Sequence, residues 1–258
     1  MDRAGCLHAY VTAPGSYHVS AAAPVGTLRV RRFEPGVHGV RWDSFTIRLE
    51  DRTTVLDALF NVLREQDRSI AFRCACRAAM CGSCAMVING QERLACKTGL
   101  ASLKTPIRVE PLRNLPVIKD LVVDMTDFFD KYQAIEPRPM LDARRLAEPA
   151  VIPAADARRL EISEGLDCIS CGACYSACPM VAVDPDYLGP AQLLRAFNVL
   201  SDEREGTDAD AAHAEAFSRH GVWRCHGIGE CTRVCPKGLD PSLAIRRLKR
   251  RALLGAMS

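Results

Sequence analysis

Residues 28–33 and 45–50 alternate apolar and polar side chains, the period-two pattern of strands with one buried face. Asp51-Arg52 breaks the second run as a turn. Thr53 or Thr54 then stands where it can cap a helix whose apolar residues, Val55, Leu56, Leu59, Val62 and Leu63, recur at helical spacing. Residues 85–88 read as a short strand, Asn89-Gly90 as a two-residue hairpin turn and 92–96 as the returning strand. Residues 107–109 complete this group.

The period changes after a proline-punctuated connector from Pro111 to Pro116. Leu121, Val122, Met125, Phe128 and Phe129 recur at helical spacing. A second loose connector holds Pro137, Pro139, Pro149 and Pro153. Helices are predicted over 154–164, 190–201, 208–220 and 241–254, interrupted by cysteine-rich loops. This is an α+β pattern with a strand-rich domain over 25–116 and a helical domain over 117–258. Residues 1–24, rich in Ala, Pro, Gly and Ser, read as a flexible extension. They lack the apolar core of a secretory signal and the arginines of a transit peptide. No apolar run approaches the roughly 20 residues needed to span a bilayer, so membrane association must come through a partner.

Composition adds one anomaly. Among 258 residues, 48% apolar and 25% charged content is ordinary, whereas thirteen cysteines are not. An odd number, gathered in ligand-spaced runs, reads as metal binding in a reducing compartment rather than a disulfide framework. The net charge of +3 names no partner. Basic clusters at Arg144-Arg145, Arg158-Arg159 and Arg246–Arg251 read as solvated helix faces before nucleic-acid contacts. The last could also face anionic headgroups, at about 1 kcal/mol per charge.

The runs themselves are specific. Cys168, Cys171, Cys174 and Cys178-Pro179 have the C-x2-C-x2-C-x3-C-P spacing of bacterial-type ferredoxins. Cys225, Cys231 and Cys235-Pro236 repeat it with Ile228 in place of the second cysteine. In two-cluster proteins of this type the cysteine before the proline ligates the other cluster. Crossing the runs assigns Cys168, Cys171, Cys174 and Cys235 to a [4Fe–4S] cluster. Cys178, Cys225 and Cys231 remain for the other. Three thiolates and an apolar Ile228 leave a fourth iron unheld, so that site is expected to be [3Fe–4S]. Cys76, Cys81, Cys84 and Cys96 follow the C-x4-C-x2-C…C spacing of plant-type [2Fe–2S] ferredoxins. Gly82 and Ser83 let that loop's N–H groups turn toward sulfur, as in a nest. Structural zinc remains an alternative, and the four-cysteine site suits it better than the crossed runs do. Cys6 and Cys74 fall outside every ligand set, Cys6 as a free thiol and Cys74 as a packed thiol in preference to a surrogate ligand. No dinucleotide fingerprint and no nucleophile–base pair is present, which points to a carrier of single electrons without an organic substrate of its own.

Taken together, these residues resemble the iron–sulfur subunits of succinate dehydrogenase and fumarate reductase. The carriers are the Cys81-Gly82-Ser83-Cys84-Ala85-Met86 run, Leu94-Ala95-Cys96, the stretch from Leu115 to Met125, and Cys235-Pro236-Lys237-Gly238-Leu239-Asp240-Pro241. The resemblance covers residues from about 28 to 255. It implies a β-grasp plant-type ferredoxin domain followed by an all-α bacterial-type ferredoxin domain. It also implies an FAD-containing flavoprotein partner that interconverts succinate and fumarate, and a membrane anchor of one or more subunits, with or without haem. Quinone would bind beside the anchor, and the chain would lie on the cytoplasmic face of the inner (plasma) membrane. Pro179, His226, Ile228 and Lys249 match family positions near the quinone. Ala182 and Val183 stand where many ubiquinone-using members carry two tryptophans. Ala78 and Ala79 replace a usual Glu-Gly, and Cys74 a usual Arg. Neither the direction of the reaction nor the quinone type follows from these residues. An adaptor for a different flavoprotein dehydrogenase and a zinc-bound interaction module are the competing readings.

Overall fold

Strand β1 (Val25–Arg32) buries every second residue, Gly26, Leu28, Val30 and Arg32, so one face of the strand meets the core and ends in a guanidinium. The computed structural model that shows this describes residues 24–37, 39–139, 151–202, 204–206, 211 and 213–255. The extension expected over 1–24, with Cys6, lies outside the described residues apart from Pro24, as do Arg144 and Arg145.

Strand β1 pairs antiparallel with β2 (Arg41–Arg48) and parallel with β5 (Ile107–Glu110). Strand β3 (Ala85–Ile88) joins β5 to β4 (Gln91–Leu94), giving a five-stranded sheet of order β2-β1-β5-β3-β4. The β3–β4 turn is Asn89-Gly90, both at positive φ (48° and 80°), as a two-residue hairpin between right-twisted strands requires. Helix α1 (Val55–Glu65) is capped by Thr54. Its hydroxyl accepts from Asp57 N–H while the Asp57 carboxylate accepts from Thr54 N–H, closing a capping box. The helix presses Val55, Leu56, Leu59 and Val62 into one core with Leu28, Val30, Met86, Ile88, Ile107 and Val109.

Residues 121–123 depart from the helical reading. Val117–Lys119 and Val122–Val123 form a small hairpin (β6, β7), and helix α2 starts later, at Thr126–Ala134. Asp120 in the hairpin is the cause. Its carboxylate is 2% exposed and accepts from Arg32 Nε at 2.9 Å, Phe33 N–H at 3.1 Å and Ala71 N–H at 2.9 Å. Asp43, Asp67 and Ser69 accept three more of the guanidinium hydrogens.

Beyond α2 come α3 (Ala157–Ser163), α4 (Ala173–Ser176), α5 (Pro179–Val183), α6 (Pro190–Leu200), α7 (Glu230–Arg233) and α8 (Pro241–Gly255). Of the helix expected over 208–220, Ala211 is helical, but residues 213–220 do not continue it and carry a 3-10 turn over Ala214–Phe217. His213, buried and bonded to the Ile135 carbonyl at 2.9 Å, fixes that segment by side-chain contact instead of by a helical ladder. Helix α6 is buried almost throughout and packs with Ala244, Ile245 and Leu248 of α8. The basic row on α8 is divided, with Arg246, Arg247 and Arg250 exposed and Lys249 and Arg251 half-buried. Arg247 pairs with Glu161 at 3.1 Å and lies over the Phe197 ring, Lys249 donates to the Cys225 carbonyl, and Arg251 donates to the Leu200 carbonyl.

Three contacts seat the strand-rich part on the helical part. Buried Glu92 accepts from Ser176 Oγ at 2.9 Å, and the same hydroxyl accepts from Arg113 N–H. Lys97, one residue after Cys96, donates to the carbonyl of Pro236, one residue after Cys235. Gly82 lies so close that an added Cβ would sit 2.6 Å from Cys171 Cβ.

Two stability outcomes follow. Asp120→Ala leaves a buried guanidinium short of a carboxylate and two N–H groups without acceptors, a loss of about 3–5 kcal/mol. Denaturant or thermal unfolding should show it, with Asp120→Asn losing less because one acceptor oxygen survives. Gly82→Ala and Gly90→Ala share the cost of a left-handed side-chain residue, about 1–2 kcal/mol. Gly82→Ala should lower the melting temperature further, since nothing lies within 4 Å of a Cβ at Gly90. Equal shifts would show that the close approach to Cys171 is not tight.

Candidate iron–sulfur centres

The loop from Cys76 to Cys84 is wound so that its amides point at sulfur. Arg77, Ala79 and Gly82 have positive φ, and the N–H groups of Ala78, Met80 and Cys81 converge on Cys76 Sγ at 3.3–3.4 Å. The Ser83 hydroxyl lies 2.8 Å from Cys81 Sγ. Hydrogen bonds from Ser83 and then from the Cys76 amide pull the Cys81 thiol down to about 6. Cys84 lies deeper, and burial pushes its thiol up to about 12. Strand β4 returns Cys96 beside it, with Ala95 N–H on the Cys84 carbonyl at 3.0 Å. All four sequence-predicted residues therefore meet in one place. Cys74 is half-buried against the core.

The two later runs cross. One recess, with an empty volume of about 370 Å3, is lined by Cys168, Cys171, Cys174 and Cys235. The other, of about 330 Å3, is lined by Cys178, Cys225 and Cys231. The exchange has a local cause at Cys178. Its backbone is extended (φ −79°, ψ 116°), as a residue before proline must be, which ends α4 and sends the thiol away from its own loop. The two loops are also wound alike. Ser170 and Gly172 flank Cys171 at positive φ, Gly227 and Gly229 flank Ile228 in the same way, and each outer glycine caps the short helix α4 or α7. Ile228 thus occupies the backbone position that Cys171 has in the other loop.

The chemistry of the donors fits iron–sulfur clusters. Burial first, then the neighbouring sulfurs, raises the thiols of Cys168 and Cys178, brings Cys171 and Cys231 up to about 11 and raises Cys174 well above the usual thiol range. Such a gathering is unfavourable as free thiolates and becomes favourable around cationic iron. Amides stand ready for sulfur here too, with Gly227 N–H 3.4 Å from Cys225 Sγ.

Of the residues matched to a quinone site, Pro179, His226 and Ile228 line the three-cysteine recess and are exposed, Ile228 at 56%. Lys249 is not on that wall. It is half-buried and holds the Cys225 carbonyl at 2.6 Å. Sequence reasoning missed Tyr187, Ser242 and Ile245, which line the wall together with Met180, Pro190 and Glu230. Ile245 was visible only as a helix core position, and a single tyrosine carries no ligand spacing.

Comparison with known proteins agrees with this arrangement. Residues 27–130 match the 2Fe-2S iron-sulfur cluster binding domain family, and 164–239 the 4Fe-4S dicluster domain family. The fumarate reductase iron-sulfur subunit of Mycobacterium tuberculosis is 38% identical over 239 residues, covering 89% of this chain and 94% of that protein. The mitochondrial succinate dehydrogenase (ubiquinone) iron-sulfur subunit 1 of rice, Oryza sativa, is 36% identical, with 89% and 83% covered. A solved chain of the Mycobacterium smegmatis Sdh1 complex in the apo form superposes with a TM-score of 0.77 at 25% identity, covering 89% of this chain and 96% of that one. Among the described residues no helix is long and apolar enough to cross a membrane. A two-iron domain joined to a dicluster domain, matched nearly end to end by such relatives, is an electron-transferring part of an oxidoreductase, and this chain belongs to the family of fumarate reductase and succinate dehydrogenase iron–sulfur subunits.

Proposed function

We propose that this chain conducts single electrons between the FAD of a flavoprotein partner that interconverts succinate and fumarate and a quinone held against a membrane anchor. Residues 25–116, as a β-grasp domain, carry a [2Fe–2S] cluster on Cys76, Cys81, Cys84 and Cys96. Residues 117–258, as a helical domain, carry a [4Fe–4S] cluster on Cys168, Cys171, Cys174 and Cys235, and a [3Fe–4S] cluster on Cys178, Cys225 and Cys231. When bound, the clusters supply one-electron oxidation and reduction that no side chain offers. The protein's own part is to fix their spacing, tune each by hydrogen bonds and burial, and keep water from the inner ones.

The observation that carries the reading is the pair of crossed recesses, one with four cysteines and one with three plus Ile228 on an equivalent loop. The exposed side chains lining the three-cysteine recess, Pro179, His226 and Ile228, support an exit for electrons there. Contact between the Cys76–Cys84 loop and the Cys171 loop, through Gly82, supports entry of electrons from the first domain.

The purified complex should contain one two-iron, one four-iron and one three-iron cluster, the last giving the paramagnetic signal of oxidised [3Fe–4S]. Ile228→Cys should convert that site toward [4Fe–4S] and remove the signal from the oxidised protein. Iron analysis showing two four-iron clusters in the parent would overturn the assignment. His226→Ala should retain all three clusters and succinate-dependent dye reduction while lowering quinone turnover about tenfold, the worth of one hydrogen bond. Unchanged quinone turnover would make His226 a packing residue, and a complex without quinone reductase activity would favour an adaptor for another dehydrogenase.

A further inference from the structure

Tyr187 lies between α5 and α6, with its backbone N–H on the Asp184 carbonyl and its side chain 0% exposed. Its ring forms part of the wall of the three-cysteine recess. Its hydroxyl, however, has no hydrogen-bond partner. The nearest acceptor is the Cys225 thiol, a side-chain neighbour of the phenol oxygen at a geometry short of a full hydrogen bond.

A comparison inside the molecule shows how unusual this is. Tyr175, buried to the same degree, has its hydroxyl fully used, donating to Asp127 Oδ2 at 2.8 Å and accepting from Lys131 Nζ at 2.9 Å. Among the described residues the other buried polar atoms without an aligned hydrogen bond line neither recess, and the imidazoles of His213 and His220 and the Arg224 guanidinium each have a carboxylate oxygen within 2.7–3.6 Å. Tyr187 Oη is therefore the orphan that faces the cysteines.

A buried hydroxyl left unpaired costs about 1–3 kcal/mol. Phenylalanine would fill the same apolar wall without that cost. The hydroxyl makes physical sense when the recess holds an electron-rich acceptor, and the acceptors this donor set brings are thiolate and sulfide sulfur. A phenol is a protonated donor at neutral pH, so Tyr187 can only give its hydrogen to such an acceptor. The inference rests on the cluster reading given above.

We propose that Tyr187 donates its phenol O–H to a cluster sulfur at the Cys178–Cys225–Cys231 site and thereby raises the reduction potential there. An O–H···S bond strengthens as an electron adds negative charge to the cluster, so it favours the reduced form. No covalent bond changes and no proton leaves Tyr187. The amides that reach the same site, such as Gly227 N–H on Cys225, come from the ligand loops themselves. Tyr187 contributes from outside them, and a side chain can be altered without touching a ligand.

The test uses the intact complex with its partners. Tyr187→Phe should leave iron content and the paramagnetic signal in place, while the midpoint potential found by redox-poised electron spin resonance shifts downward. In the parent, pulsed resonance after exchange into heavy water should detect an exchangeable deuteron coupled to the cluster, and Tyr187→Phe should lose it. If Tyr187→Phe does not assemble, 3-fluorotyrosine in place of tyrosine at 187 carries the test. Its more acidic phenol is a stronger donor and should move the potential upward. An unchanged potential with an unchanged deuteron coupling would overturn the proposal while leaving the cluster assignment standing. A parent complex with no paramagnetic cluster on these cysteines would overturn both.

Discussion

The helical half depends on an exchange of cysteines between two loops. Neither recess is lined by one loop alone, because Cys178 leaves the first run and Cys235 leaves the second. A proline follows each of them, and a residue before proline is held extended, so the covalent chain itself directs the crossing. The short helices α4 and α7 therefore lie side by side. Long helices α6 and α8 supply the apolar backing that such brief elements cannot provide, through Leu193, Leu194, Ala244, Ile245 and Leu248. The polar parts follow the same need. Thr232 and Asp240 join α7 to the start of α8, and Lys249 reaches back from α8 to the Cys225 carbonyl.

The strand-rich half is held differently, by a charge inside it. Arg32 continues the buried row of β1 where an apolar residue would be expected, and carboxylates from β2, the segment after α1 and the β6–β7 hairpin converge on it. A buried ion pair adds little net stability over apolar packing, but it is costly to leave incomplete. Only one placement of the hairpin completes it, so this network acts as a register pin for four separate segments.

Much of this was legible in the residues because metal ligation imposes spacing. The Asn89-Gly90 turn and the Thr54-capped helix each follow a local rule and are where that rule puts them, and the cysteines of the two later runs line two shared recesses. Failures occur where two rules compete. Leu121 and Val122 fit a helical stripe with Met125 as well as a strand, and only the long-range bond that Arg32 donates to Asp120 decides between them. On α8 the expected solvated row holds for Arg246, Arg247 and Arg250, which are exposed, whereas half-buried Lys249 and Arg251 bond to carbonyls distant in sequence. Tyr187 was invisible for a further reason: its role is defined by a missing partner, and no sequence pattern displays an absence.

Gly82 has a consequence beyond its own loop. With no side chain there, the ligand loop of the first domain touches the ligand loop of the second almost backbone to Cβ. A two-domain carrier assembled by exchanging ferredoxin modules would therefore not be a free combination of parts. An incoming first module must present a bare position at that contact point, and an incoming second module must present a residue no bulkier than cysteine opposite it. The junction works as a mechanical key. Modules that fold and load their iron perfectly well alone can still be incompatible as neighbours, because any extra atom at the key widens the gap an electron has to cross.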